Sequence, residues 1–317
     1  MNANEASLRA QAEWIAGTQG RREMVETIEK ELLHYEILDA MDAAGLLDSL
    51  VFQGGTSLRL CYGAERYSED LDFAGGRAFD RSSLDRLEEC VRDAVAGRYH
   101  VATRVNEPKK DRPDDGLVST WLVIVDTTPQ RKDVRSQRIK IEVASIDAHD
   151  PTVRPLSVNY DGLPNSYSDM MIRVESRDEI LADKIEAFVC SSHTRYRDLW
   201  DLAWLSRQPG VDHANAATLR RMKAVDYDEI DRYAERHPLA LRRIEEAFAS
   251  DAFATEMKRF LPAERLARTI RRPLWLEGAR EQLTLLFSQY PPEAGTVPLD
   301  PADPLNALDS DAASHTL

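Results

Sequence analysis

The chain of 317 residues carries 55 Asp and Glu against 41 Lys and Arg, a formal net charge of −14. That balance argues against a surface that coats nucleic acid generally, though it leaves room for a local basic groove. With 43% hydrophobic residues the composition is that of a globular chain. No apolar run reaches the roughly 18 residues of a membrane span, and Met1-Asn2-Ala3-Asn4-Glu5 does not read as a signal peptide. Cys61, Cys90 and Cys190 are scattered in apolar contexts, as in reduced chains, so the expected location is the cytoplasm.

In chain order, Val25, Ile28, Leu32, Tyr35, Leu38 and Met41 recur at helical spacing and predict an amphipathic helix over 21–47. A short strand over 50–53 leads into Gly54-Gly55, and a helix from about Thr56 stops at Gly63. Asp70 to Ala74 reads as a second strand. Ser82 with Asp85 resembles a capping box opening a helix that ends near Gly97. Strands are predicted over 100–105, 119–127 and 138–145, joined by a loop over 106–116 and a polar, basic loop over 126–137. From about Ser176 the pattern becomes all-helical, with helices over 179–189, 197–206, 226–236, 239–249, 252–261 and 274–290. The expected organisation is thus an α/β (α+β) core over 1–175, a helical lobe over 176–290 and an acidic, proline-containing mobile tail over 291–317. Basic clusters occur at Arg131, Lys132, Arg135, Arg138 and Lys140, at Arg220, Arg221 and Lys223, and at Arg268, Arg271 and Arg272. Solvated surface charge is the ordinary explanation of each.

The chemistry concentrates in Val51-Phe52-Gln53-Gly54-Gly55-Thr56-Ser57-Leu58-Arg59 and Tyr67-Ser68-Glu69-Asp70-Leu71-Asp72-Phe73. Glycines there let the backbone turn and approach a ligand, and the N–H groups of the following helix start would face an anion such as phosphate. Asp70 and Asp72 alternate with apolar residues, so a strand would set both carboxylates on one face. Oxygen donors of this kind suit Mg²⁺ or Mn²⁺ bridging phosphates. Glu142, alternating in Ile139-Lys140-Ile141-Glu142-Val143, is the candidate third carboxylate if its strand lies beside that of Asp72. Each has an ordinary alternative as a solvent-facing strand residue. Lys184 interrupts an apolar helix and suits a triphosphate contact, while Asp198 and Asp201 share one face of the next helix and could orient it. The stretch lacks the Gly-Lys-Ser/Thr ending of a P-loop, and neither a nucleophile elbow nor a dinucleotide fingerprint occurs.

Gly54-Gly55-Thr56-Ser57-Leu58 and Arg66-Tyr67-Ser68-Glu69-Asp70-Leu71-Asp72-Phe73 together resemble the first motif of the AbiEii/AbiGii (MenT-like) nucleotidyltransferase toxins. Asp183-Lys184-Ile185-Glu186-Ala187 and Arg195-Tyr196-Arg197-Asp198-Leu199-Trp200-Asp201-Leu202 are similar to the two downstream motifs, in the same order. The resemblance implies a DNA polymerase β-like nucleotidyltransferase fold with a mixed sheet and a helical C-terminal lobe. It implies a toxin of a type IV toxin–antitoxin or abortive-infection system, paired with a separately encoded antitoxin. The implied reaction is transfer of a nucleoside monophosphate from an NTP to RNA, in relatives the 3′ end of tRNA, blocking translation. Carried over, Asp70 and Asp72 are metal ligands with Glu142 a third, and Lys184 and Asp198 are catalytic. Gly54, Gly55, Thr56, Ser57, Arg59, Arg66 and Ser68 form the nucleotide-phosphate set. Two alternatives stay open: transfer to a protein or a small molecule such as an aminoglycoside, and a non-catalytic nucleotide- or RNA-binding partner.

Overall fold

The computed structural model describes residues 7–108, 117–128 and 135–292. The predicted tail from residue 293 on, and Arg131 and Lys132 of the basic loop, lie outside them. Two compact units divide the chain, one of 1–176 with 254–273 and one of 177–253 with 274–317.

The first unit opens with α1 (Leu8–Thr18) and α2 (Val25–Ala43), then β1 (Val51–Gln53), α3 (Gly54–Tyr62), β2 (Leu71–Ala74) and α4 (Leu87–Tyr99). β3 (Ala102–Asn106), β4 (Val118–Asp126) and β5 (Gln137–Ala144) follow, with β6 (Pro151–Pro155), α5 (Asn165–Asp169) and β7 (Met171–Glu175) after them. Among the described residues the strands form one seven-stranded sheet in the order β3-β4-β5-β2-β1-β7-β6. Pairing is mixed: β1 runs antiparallel to β2 but parallel to β7, and β2 runs parallel to β5. The expected mixed-sheet α/β core is present, and β6 and β7 extend it through a stretch that sequence periodicity leaves blank. Short strands flanked by Pro151 and Pro155 give too few alternations to register.

The centre of the sheet fixes the site. Phe52 of β1 and Phe73 of β2 are fully buried and stack with ring centroids 5.2 Å apart, a pairing worth about 0.5–1.5 kcal/mol beyond burial. They lock the register in which Gln53 faces Asp72. α2 is buried on more than its predicted apolar stripe, since Glu29, Glu31, His34 and Glu36 are also enclosed. Each has a polar partner: Gln137 for Glu29, Arg59 for Glu31, the Glu69 carbonyl for His34 and Tyr167 for Glu36. Most buried polar groups are satisfied in this way, though Oε1 of Glu29 has no hydrogen-bond partner. α1 escaped the sequence reading because its buried face leans on Ala12 and Ala16 beside Leu8 and Ile15, a weak periodic signal. β2 starts at Leu71, so Asp70 stands at the strand entrance, one residue before its predicted place.

The second unit is helical: α6 (Arg177–Cys190), α7 (Tyr196–Leu205), α8 (His213–Asp226), α9 (Ile230–Phe248) and α12 (Pro273–Ser288). α10 (Ala252–Met257) starts at the end of the second unit's first stretch, and α11 (Ala263–Arg268) lies where the chain passes through the first unit. α9 runs through Pro238, where the sequence had suggested two helices. Proline there forfeits a hydrogen bond to Ala234, but both residues are exposed, so water can satisfy that carbonyl.

Candidate active site

β1 ends at Gln53 and the backbone reverses through Gly54 at φ +77°, the left-handed region that favours glycine. A Cβ on Gly54 would stand 2.5 Å from Oδ2 of Asp72, so the Asp72 carboxylate lies directly against the turn. A Cβ on Gly55 would collide with the Arg66 guanidinium and come within 3.0 Å of the Ser68 hydroxyl. Asp72 is paired in register with Glu142 across β2 and β5, and Asp70 accepts a hydrogen bond from the Lys140 backbone N–H at 3.3 Å. The sheet therefore sets Asp70, Asp72 and Glu142 near one another beside the glycine turn, although their oxygens are not gathered within ligand distance of a single ion; among the described residues the one group so gathered is Glu186, Cys190 and Glu229.

The electrostatics follow from that crowding. Burial pushes the Asp70 carboxyl above its ordinary value, with Glu142 and Glu69 adding to the rise and Lys140 opposing it. Lys140 is in turn raised, chiefly by Glu142, to which its ammonium is bridged at 3.4 Å. Glu142 also accepts from Thr120 at 3.4 Å. Neighbouring carboxylates of like charge are ones that a divalent cation would relieve, and their oxygen donors are of the kind that suits Mg²⁺ or Mn²⁺.

The hydroxyls and guanidinia expected at phosphate have partners inside the first unit. Ser57 Oγ donates to the Gly54 carbonyl at 2.8 Å and closes the turn, while Thr56 Oγ1 donates to the Asp70 carbonyl. Arg59 is enclosed against Glu31, with an Nη2–Oε1 distance of 3.1 Å, and its guanidinium lies 3.9 Å from the centroid of Tyr67. Arg66 Nη1 donates to the Tyr67 carbonyl at 2.7 Å. These side chains build the turn and the loop after it.

In the second unit Lys184 and Asp198 meet each other. Lys184 Nζ lies 2.9 Å from Asp198 Oδ1 and 2.8 Å from Asp201 Oδ2, and Arg195 donates to the other oxygen of Asp198. Burial alone would raise the Asp198 carboxyl, but Lys184 and Arg195 together outweigh it and hold it well below the usual carboxylate range. The three-residue spacing of Asp198 and Asp201 had suggested a shared face, and that face is occupied by the lysine.

Sequence reasoning passed over His34 and Thr120. Lys140 and Glu142 were legible as sharing a strand face. His34 was not, because it sits inside the apolar run of α2 and reads as filling.

Comparison with known proteins closes the identification. A sequence model of the family described as nucleotidyl transferase AbiEii toxin, type IV toxin–antitoxin system, matches residues 36–276. No curated protein matches the sequence. Among solved structures, MenT4, a nucleotidyltransferase toxin from Mycobacterium tuberculosis, is similar with a TM-score of 0.60 at 19% identity over 89% of each chain. JHP933 from Helicobacter pylori is similar with a TM-score of 0.45 at 18% identity, covering 91% of this chain and 95% of its own. At such identities the likeness to MenT4 speaks for the fold, and the family match for the rest. The chain belongs to the AbiEii family of nucleotidyl transferase toxins of type IV toxin–antitoxin systems.

Proposed function

We propose that the chain transfers a nucleoside monophosphate from an NTP to the 3′ end of a tRNA, blocking translation, and that a separately encoded antitoxin restrains it. The observation that carries the chemistry is the Asp72 carboxylate set against Gly54, with Glu142 in register and Asp70 at the strand entrance. Asp70 and Asp72 would hold a divalent cation, with Glu142 as a further oxygen; such a cation screens triphosphate charge and eases departure of pyrophosphate. The Gly54–Gly55 turn lets Asp72, Arg66 and Ser68 lie against the backbone, where the carboxylate and the guanidinium would stand beside an approaching phosphate. Glu142 or Asp198 would help to position or deprotonate the acceptor hydroxyl. Lys184 and Asp198 enter through the motif match alone.

The net charge of −14 favours a second reading, a cationic small acceptor such as an aminoglycoside in place of RNA. Incubation with each labelled NTP plus total RNA, lysate protein and aminoglycosides separates the two by which fraction gains label. In the tRNA reading, Asp70→Asn and Asp72→Asn should reduce labelling of tRNA to background while the variants melt as the parent does. Full transfer by Asp70→Asn would sink the assignment.

A further inference from the structure

The loop that delivers Asp70, residues 63–70, has no regular structure of its own, yet its carbonyls are held one after another by side chains. Arg59 Nη1 donates to Ala64 O at 3.4 Å and Glu65 O at 3.0 Å, and Arg66 to Tyr67 O at 2.7 Å. His34 Nε2 lies 3.1 Å from Glu69 O, and Thr56 Oγ1 donates to Asp70 O. The Tyr67 N–H is tied to Phe260 O at 3.0 Å. A carbonyl can only accept, so the His34 tautomer carries its hydrogen on Nε2.

We propose that His34 and Thr56 are positioning residues for the metal site: they clamp the two consecutive carbonyls on either side of the Asp70 N–H and so fix the direction of its carboxylate. The proposal rests on the reading of Asp70 as a metal ligand. His34 is 1% exposed and Thr56 1% exposed, and they come from different helices, α2 and α3. Each grips the backbone next to the carboxylate and neither touches its oxygens in a hydrogen bond. This is the arrangement by which outer partners orient a ligand, and removal of such partners commonly costs 10–100-fold in metal affinity. A flexible Asp70 would have to be ordered at the moment of binding, at a cost in backbone entropy that the two clamps have already met on folding. Burial lowers the imidazole to about 4, so His34 stays neutral, with the Nε2 hydrogen in place, through the neutral pH range.

The test uses the full chain and Mn²⁺ alone as probe, its affinity read by calorimetry or by the electron-paramagnetic signal, with kcat and KM for transfer measured beside it. His34→Leu fills the volume without a donor and should weaken Mn²⁺ binding roughly 10–100-fold, lowering kcat at fixed Mn²⁺. His34→Gln, whose amide can donate to the same carbonyl, should recover most of the affinity. Thr56→Val against Thr56→Ser repeats the comparison independently, and it decides the matter should His34→Leu not fold. Non-donor variants that bind Mn²⁺ as the parent does, or donor variants that do no better than non-donor ones, overturn the proposal. Asp70→Asn separates the two levels. If it keeps parental Mn²⁺ affinity, the reading of Asp70 fails. If it loses affinity while His34→Leu and Thr56→Val lose none, the clamp alone fails.

Discussion

Gly54 shows how much chemistry can depend on a missing side chain. Its φ of +77° costs a non-glycine residue about 1–2 kcal/mol, and a Cβ there would press on the Asp72 carboxylate. Gly54→Ala is therefore expected to do two separable things. The strain should lower the melting temperature of the first unit by about 2–4 °C for each kcal/mol. Displacement of Asp72 should weaken Mn²⁺ binding and transfer by more than that strain explains, because the carboxylate has to move out of the space the methyl takes. Calorimetric melting alongside Mn²⁺ titration checks both. A variant that melts lower but binds Mn²⁺ as the parent does would mean that the carboxylate can step aside without cost. The neighbouring hydroxyls carry a related lesson: Thr56 and Ser57 were expected to meet phosphate, and in the structure both donate to backbone carbonyls. Residue type shows that a hydroxyl is wanted near the turn, whereas the direction in which it points is decided by packing.

At the scale of elements, α6 and α7 are joined through charge. Lys184 of α6 reaches both Asp198 and Asp201 of α7, and all three are buried. Lys184→Met keeps the length and packing of the side chain but removes the cation that the two carboxylates share, which should destabilise the helical unit by about 3–5 kcal/mol. Urea unfolding followed at the tryptophans of the unit, Trp200, Trp204 and Trp275, measures it; an unchanged midpoint would contradict this account. Further along α6, burial raises the Glu186 carboxyl from 4.5 to about 7 against the pull of Arg220. Between those values the folded unit holds a proton that the unfolded chain has released, so stability falls as pH rises through them and levels off above. Asp198 works in the opposite direction: its lowered value makes a contribution that is present above the ordinary 3.8 and lost as pH falls below it. Glu186→Gln should flatten the decline between about pH 5 and 7 and leave the acid limb in place, as melting temperatures across that range would show.

Over the whole molecule, legibility followed the kind of force involved. Strands β3, β4 and β5 and the glycine turn were readable because alternation and left-handed backbone leave local marks. α1, α8 and β6–β7 were not, since alanine-rich, mixed and very short segments leave weak ones. The carboxylate trio was half readable: Asp70 and Asp72 by adjacency, Glu142 only on the condition that β5 lies beside β2, a pairing between residues about seventy positions apart. His34 and the carbonyls it and Thr56 hold were beyond reach, because the partner is backbone and any sequence supplies that. The return of residues 254–273 to the first unit was also unmarked, although it ties the Tyr67 N–H to Phe260 and the Ala263 N–H to Glu23. That return has a consequence in time. On the ribosome, every strand among the described residues has been made by Glu175, but the loop carrying Asp70 lacks its Phe260 anchor until 85 residues later. At about 5–20 residues per second, several seconds separate synthesis of the last strand from synthesis of the residue that anchors this loop, so the loop is expected to be fastened late.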